Sequence, residues 1–404
     1  MTAADSPIQT AEIIVPSSDI RDDLAFFSKT LGLRLEQIYP ADDPAVAVLS
    51  GHGVRLRLDS RCPAEMPCPR LCLQADDPAA IADGEQTITA PNGMVIEIAQ
   101  HNPPLHMPQT QHRYVVRRLV DQAPWVIGRA GMHYRDLIPD RLGGSIIASH
   151  IRIPDGGPVP DMVHYHTVGF QLIFCIAGWV DLVYEDQGPE FRLHAGDCVI
   201  QPPEIRHRVL FASDNIEVIE IGVPAEHVTT IDHEMTLPNG PANPDRLFQG
   251  QRFIHHQQAQ ADWHPWRIPG FVHRDTGILD ATNGVANVQV AKWQGGEAQI
   301  PKSASHATRA THATRATHAT PATRATRATR ATRATHDCDI LFHFVISGTM
   351  RLEVDGQDPS MLSAGDAFVV PPGTAAAFCE CSDDLELMEV ALPGAFVTNL
   401  HDPA

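Results

Sequence analysis

The chain has 404 residues, room for two or three domains at about 150 residues each, and 43% hydrophobic against 20% charged residues supplies buried cores and excludes wholesale disorder. Thirty basic against forty-nine acidic side chains give a net charge of −19, a field that repels nucleic-acid phosphates and anionic membranes. No run reaches the ~18 apolar residues of a bilayer span, residues 1–10 lack a leader-like pattern, and eight cysteines show no CxxC spacing, so a cytoplasmic protein with reduced thiols is expected, Cys62, Cys68 and Cys72 included.

Ala11 to Val15 reads as a strand, and Asp19 to Leu31 as a helix with Leu24, Phe27 and Leu31 on one face and Gly32 as its stop. Strands follow at 33–38, 45–49 and 54–58. A shorter round repeats the pattern, with a strand at 70–74, a short helix at 78–82 and strands at 86–89 and 94–98 around the turn Pro91-Asn92-Gly93. The order βαβββ with an abbreviated copy makes 1–104 an α+β domain with an internal repeat. Pro103, Pro104 and Pro108 mark a linker, 105–127.

From Gly128 to 236 the text becomes strands separated by Gly, Pro and Asp turns, the pattern of a β-barrel or sandwich. Pro238, Gly240, Pro241 and Pro244 mark a second linker, 237–264, and strand-like text resumes over 265–404. Within it, Ala307 to His336 is ten Ala-Thr-X triplets in which X is Arg, His or Pro. Threonine at every third position matches neither a helical face nor strand alternation, and the arginines there have no acid among them. The tract is expected to be a solvated, mobile loop, a tolerated insert without chemistry.

The residues with chemistry lie in the middle module: His164-Tyr165-His166, then Gln171, Gly178, Gly196 and His207. On a strand, residues two apart share a face, so His164 and His166 present imidazoles to one point, with Gln171 and His207 arriving from other strands. Three imidazoles inside a small barrel need something to satisfy their nitrogens, and a divalent metal does so at about 2.0–2.2 Å. Tyr165, Tyr184, Gln201, Arg206 and Arg208 are candidate substrate contacts. Alternation puts Arg206 and Arg208 opposite His207, which assigns them to exterior ion pairs.

These spacings resemble the cupin superfamily, whose first motif combines a His-x-His pair, an acid and a glycine, here His164, His166, Gln171 and Gly178. Its second motif, Gly, Pro-x-Gly and His, is matched by Gly196, Pro202 and His207. Gln171 replaces the acid and Glu204 the Pro-x-Gly glycine. The resemblance implies a mainly β fold, two cupin double-stranded β-helix (jelly-roll) barrels at 128–236 and 265–404. It implies one divalent metal on His164, His166 and His207, with Gln171 as fourth ligand or as a catalytic orienting group. Imidazole-rich sites favour Fe(II) over Zn, Ni, Cu or Mn. The expected activity is a dioxygenase-like oxidoreductase acting on a small metal-chelating substrate, aromatic or enolic. A non-catalytic ligand-binding or sensor module and a metal-dependent isomerase or lyase stay open. The resemblance also implies a homodimer.

In the second barrel Ala334 stands for the first motif histidine, Leu341 for the acid and Ala376 for the last histidine, leaving His336 and His343, so this barrel is expected to be degenerate and structural. The first domain resembles the vicinal-oxygen-chelate superfamily of glyoxalases, through Val15 with Asp19, the helix end at Leu31-Gly32, and the segment from Ala90 to Glu97. Glu12 and Glu97 fall where two metal ligands of that family could lie, without an accompanying histidine, which implies a degenerate module.

Overall fold

The structure is a computed structural model that describes residues 7–63, 65–121, 124–295 and 332–401. The chain forms two compact units, 1–104 and 105–404. No helix among the described residues is long and apolar enough to cross a membrane.

In the first unit, the Asp19 carboxylate accepts the backbone N–H groups of Arg21 and Asp22 and so starts the helix Ile20–Ala25. The helix then widens into a π-turn, Phe26–Thr30, before Gly32 turns the chain with φ 73°. The predicted face holds, with Phe27 and Leu31 buried, but the helix is not one continuous α-helix. The short helix expected at 78–82 is a pair of 3-10 turns, Pro78–Ala80 and Ala82–Gly84. Strand Ile13–Pro16 runs parallel to Val54–Asp59 in a four-stranded sheet, and Leu71–Ala75 runs parallel to Val95–Gln100 in a three-stranded one. Val15, Phe27 and Leu56 from the first round share a core with Met94 and Ile96 from the second.

The second unit contains two barrels with one strand order. In the N-terminal barrel a large sheet carries Ile147–Ile153, Ile216–Val223, Phe170–Ala177 and Cys198–Ile200, and a second sheet carries Phe191–His194, Trp179–Tyr184, His207–Ala212, His164–His166 and Thr229–Ile231. The C-terminal barrel repeats both orders, ending its second sheet with Ala376–Cys379, Arg333–His336 and Thr398–His401. The large-sheet strands pack residues on both faces. Phe170, Leu172 and Phe174, with Ile219 and Ile221, pack against Phe342, Phe344, Met388 and Val390 of the other barrel, while the alternate residues face their own barrel's interior. Gln171, Ile173, Val218 and Glu220 belong to that interior set by the same alternation.

Neither segment read as a linker is free of structure. From 105–127, Val115–Arg117 joins the C-terminal barrel beside Ala367–Val369, and Val126–Ile127 edges the N-terminal barrel. From 237–264, His255–His256 joins the N-terminal barrel beside Cys198–Ile200. Each barrel thus receives a strand from the stretch that precedes the other. Strands of two or three residues carry no alternation period, and the open edge of a formed sheet confers their pairing. Two fully buried arginines fasten the exchange: Arg135 donates to the Gly365 carbonyl at 2.5 Å, and Arg274 donates to the Gly196 carbonyl at 2.7 Å.

The triplet tract requires a similar correction at its end. Residues 307–331 lie outside the described residues, so the loop expectation is not addressed there. Arg333–His336, however, is a strand, with Arg333 opposite His401 and His336 opposite Thr398. Neighbouring strands on both sides satisfy its backbone, whatever its composition.

Candidate metal centre in the N-terminal barrel

Strand His164–His166 lies between His207–Ala212 and Thr229–Ile231, with His164 directly opposite His207 and His166 opposite Thr229. The i, i+2 spacing turns both of its imidazoles inward, and the cross-strand pair brings the third alongside. Ring centroids are 4.2 Å apart for His164 and His207, 5.1 Å for His164 and His166, and 5.2 Å for His166 and His207. Among the described residues, one set of three or more His, Cys, Asp or Glu side chains converges, and it is this one, with ligand atoms all within 4.8 Å of one another.

The hydrogen bonds decide which nitrogens converge. The Nδ1 of His164 donates to the Met162 carbonyl at 2.8 Å and that of His207 to the Ile205 carbonyl at 2.9 Å, while Nδ1 of His166 shares a hydrogen bond with the Thr229 hydroxyl at 2.8 Å. The carbonyl partners of His164 and His207 can only accept, so the Nε2 of each of these two rings keeps its lone pair, and the Thr229 hydroxyl can donate to His166 Nδ1 or accept from it. The buried Nε2 of His164 has no hydrogen-bond partner in the protein, an unmet acceptor of the kind a cation satisfies. Burial, reinforced by the neighbouring imidazoles, pushes His166 down to about 2 and His207 well below the ordinary range. Three neutral imidazoles with tethered Nδ1 atoms fit one divalent cation.

A cavity of about 610 Å³, part of it open to solvent, lies over the triad. Ile151, Ile173, Leu182 and Val218 form apolar wall, and Arg129, Gln201 and Glu220 bring polar groups. Behind His164, the buried Asp161 accepts from Arg129 at 2.5 Å and from the Val209 backbone at 2.9 Å. Tyr184 stacks on His207 at 5.4 Å and accepts a hydrogen bond from the Gln201 amide at 2.9 Å. Arg206 turns to the other side, donating to Asp232 at 3.2 Å and lying over the Tyr165 ring at 4.2 Å, and Arg208 is exposed.

Gln171 is 1% exposed and its amide nitrogen donates to the Glu220 carboxylate at 2.6 Å, while its own oxygen is buried without a partner. The cavity wall includes Glu220 and not Gln171. Sequence reasoning missed Glu220. The available signal was an acid in the interior register of the apolar strand Ile216–Val223, where burial needs a partner.

The cupin domain family matches residues 149–221, and the EutQ-like cupin domain family matches residues 331–384. The chain carries two cupin domains. Among curated proteins none matches the chain. Similar solved structures include a salicylate 1,2-dioxygenase from Pseudaminobacter salicylatoxidans, at 12% identity and TM-score 0.48, covering 74% of this chain and 91% of that one. An oxalate decarboxylase formate complex from Lactobacillus farciminis has 13% identity and TM-score 0.48, covering 72% and 90%. The Bacillus subtilis oxalate decarboxylase has 12% identity and TM-score 0.47, covering 72% and 80%.

The second cupin domain keeps the register of the first without its donors. Ala334 faces Ala376 across the sheet as His164 faces His207, and Leu341 pairs with Ala391 as Gln171 pairs with Gly222. In the first unit, Glu12 and Glu97 are each tied to an arginine, Arg55 and Arg70 respectively.

Proposed function

We propose that the N-terminal cupin barrel binds one divalent metal, Fe(II) in preference to Zn, Ni, Cu or Mn, through the Nε2 atoms of His164, His166 and His207, and acts as a dioxygenase-like oxidoreductase. Its substrate is a small aromatic or enolic molecule with oxygens placed to chelate. The observation that carries this reading is the tethering of all three Nδ1 atoms away from a point where the other nitrogens converge, under a cleft that opens to solvent.

The metal, when bound, supplies a Lewis-acidic, redox-capable centre with positions left open by a three-histidine set. The protein's own residues do the rest. The apolar wall of Ile151, Ile173, Leu182 and Val218 accommodates the substrate's flat body and excludes water. Glu220 accepts the proton of the substrate hydroxyl or enol, and Gln171, through its 2.6 Å hydrogen bond, holds that carboxylate in place. Of the two roles open to Gln171, this reading takes the orienting one. Gln201, fixed by Tyr184, addresses a second substrate oxygen. For the first unit we infer a degenerate vicinal-oxygen-chelate module, supported by the parallel return of the first strand beside the last in both of its rounds.

Metal analysis with oxygen uptake tests the proposal. The wild-type chain is expected to retain about one ion and to consume oxygen with Fe(II) and a catechol or hydroxyaromatic acid, and His164→Ala to lose metal affinity by at least about tenfold. An unchanged metal content in His164→Ala defeats the ligand assignment. Ligand-induced stabilisation without uptake by any substrate points to a binding module, and anaerobic turnover to an isomerase or lyase.

A further inference from the structure

The C-terminal barrel has its own cleft, partly open to solvent. It lies where the other barrel carries its imidazoles. Ala334 and Ala376 line it in the register of His164 and His207, so two methyl groups leave the room that two rings fill in the first barrel. Ile268, Leu341, Val370 and Phe378 make the remaining surface mostly apolar.

Two imidazoles line the same cleft, and both are almost wholly buried, His336 at 7% and His343 at 2% exposure. His336 donates from Nε2 to the Val370 carbonyl at 2.9 Å, and His343 donates from Nε2 to the Glu389 carboxylate at 3.0 Å. Each Nδ1 is left as a bare acceptor, and neither has a hydrogen-bond partner in the protein. Buried acceptors of this kind are ordinarily satisfied, by water or by a ligand.

The charges in the cleft are already matched. Arg267 donates to both oxygens of Glu389, from Nη1 at 2.7 Å and also from Nη2, and to the Thr398 hydroxyl at 3.0 Å. Burial by itself would raise the Glu389 carboxyl; the Arg267 guanidinium and the hydrogen bond from His343 overcome it and hold the group at about 2. An anion entering the cleft would meet a neutralised guanidinium and two lone pairs, and a bare cation would meet no converging donor set among the described residues.

We propose that the C-terminal barrel is a metal-free binding site for a small uncharged molecule, largely apolar, that presents hydroxyl or amine hydrogens to His336 and His343, a phenol being the simplest member of the class. This inference does not depend on catalysis in the N-terminal barrel.

The test titrates phenol, with benzoate as its charged counterpart, into the full chain carrying His164→Ala and treated with chelator, so that metal-centred binding cannot contribute. Calorimetry is expected to show saturable binding of about one phenol per chain, with benzoate at least about tenfold weaker. Ala376→Phe fills the cleft and is expected to abolish binding. The fill variant Val218→Phe in the other barrel is expected to leave it unchanged. Should Ala376→Phe fail to fold, the milder Ala376→Leu and nitrogen NMR of the two imidazoles read the same point, since phenol must move the Nδ1 resonances of His336 or His343. Absence of saturable binding, benzoate binding as well as phenol, persistence of binding in the folded Ala376 variants, or unmoved Nδ1 resonances would each overturn the proposal.

Discussion

Glu389→Gln probes a buried charge that two partners compensate, Arg267 and His343. Glu389 is 2% exposed, and its carboxyl lies at about 2 rather than at the ordinary 4.5, with burial opposing that displacement and Arg267 and His343 producing it. A carboxyl lowered on folding stabilises the folded state fully above its unfolded value, and this contribution is lost as pH falls through 4.5 toward 2. The displacement corresponds to about 3 kcal/mol at neutral pH. The amide keeps the shape of the carboxylate, removes its charge and leaves the half-buried Arg267 beside a neutral group, a change of about 3 kcal/mol, the low end for a broken buried pair. Urea denaturation at pH 7 is therefore expected to show Glu389→Gln destabilised by about 3 kcal/mol. The gap between wild type and variant should narrow steadily from about pH 5 downward, because acid removes from the wild type what the substitution has already removed. A loss under about 0.5 kcal/mol at pH 7, or a gap that stays constant between pH 5 and 3, would refute the account of this triad as a compensated buried charge.

Glu220→Gln is expected to lower kcat by about a hundredfold with metal content unchanged, and Gln171→Ala to lower it less with KM nearly unchanged; steady-state kinetics beside metal analysis separates these from a ligand loss. Glu204 holds φ 63° at the position where Gly373 of the second barrel holds 74°, so Glu204→Gly relieves a left-handed strain and is expected to raise stability by about 0.5–1 kcal/mol, read from thermal unfolding. Arg274→Met removes the hydrogen bonds to Gly196 and His256 that fasten the two barrels and is expected to cost about 2–4 kcal/mol, measured by denaturation.

Local patterns carried much of this protein. The His-x-His spacing with a distant third histidine announced three imidazoles on neighbouring strands, and the register His164 opposite His207 is the geometry that such a pattern requires. The same reading identified Ala334 and Ala376 as their empty counterparts. The α+β repeat of the first unit followed from apolar periodicity and the Gly32 stop, because those elements are long enough to show a period.

What tertiary structure alone decided was everything that depends on who sits opposite whom. Gln171 turned out to hold Glu220, a partner 49 residues away whose position follows from strand pairing and not from any local spacing. The Pro-rich stretches looked like linkers because two- and three-residue strands have no pattern of their own, and only the edges of the other barrel made them strands. Arg333–His336 became a strand within a repeat of no strand-like character for the same reason. Periodicity records which face of an element meets apolar surroundings; it holds no information on the hydrogen-bonding edge or the buried charge partner supplied by a distant segment.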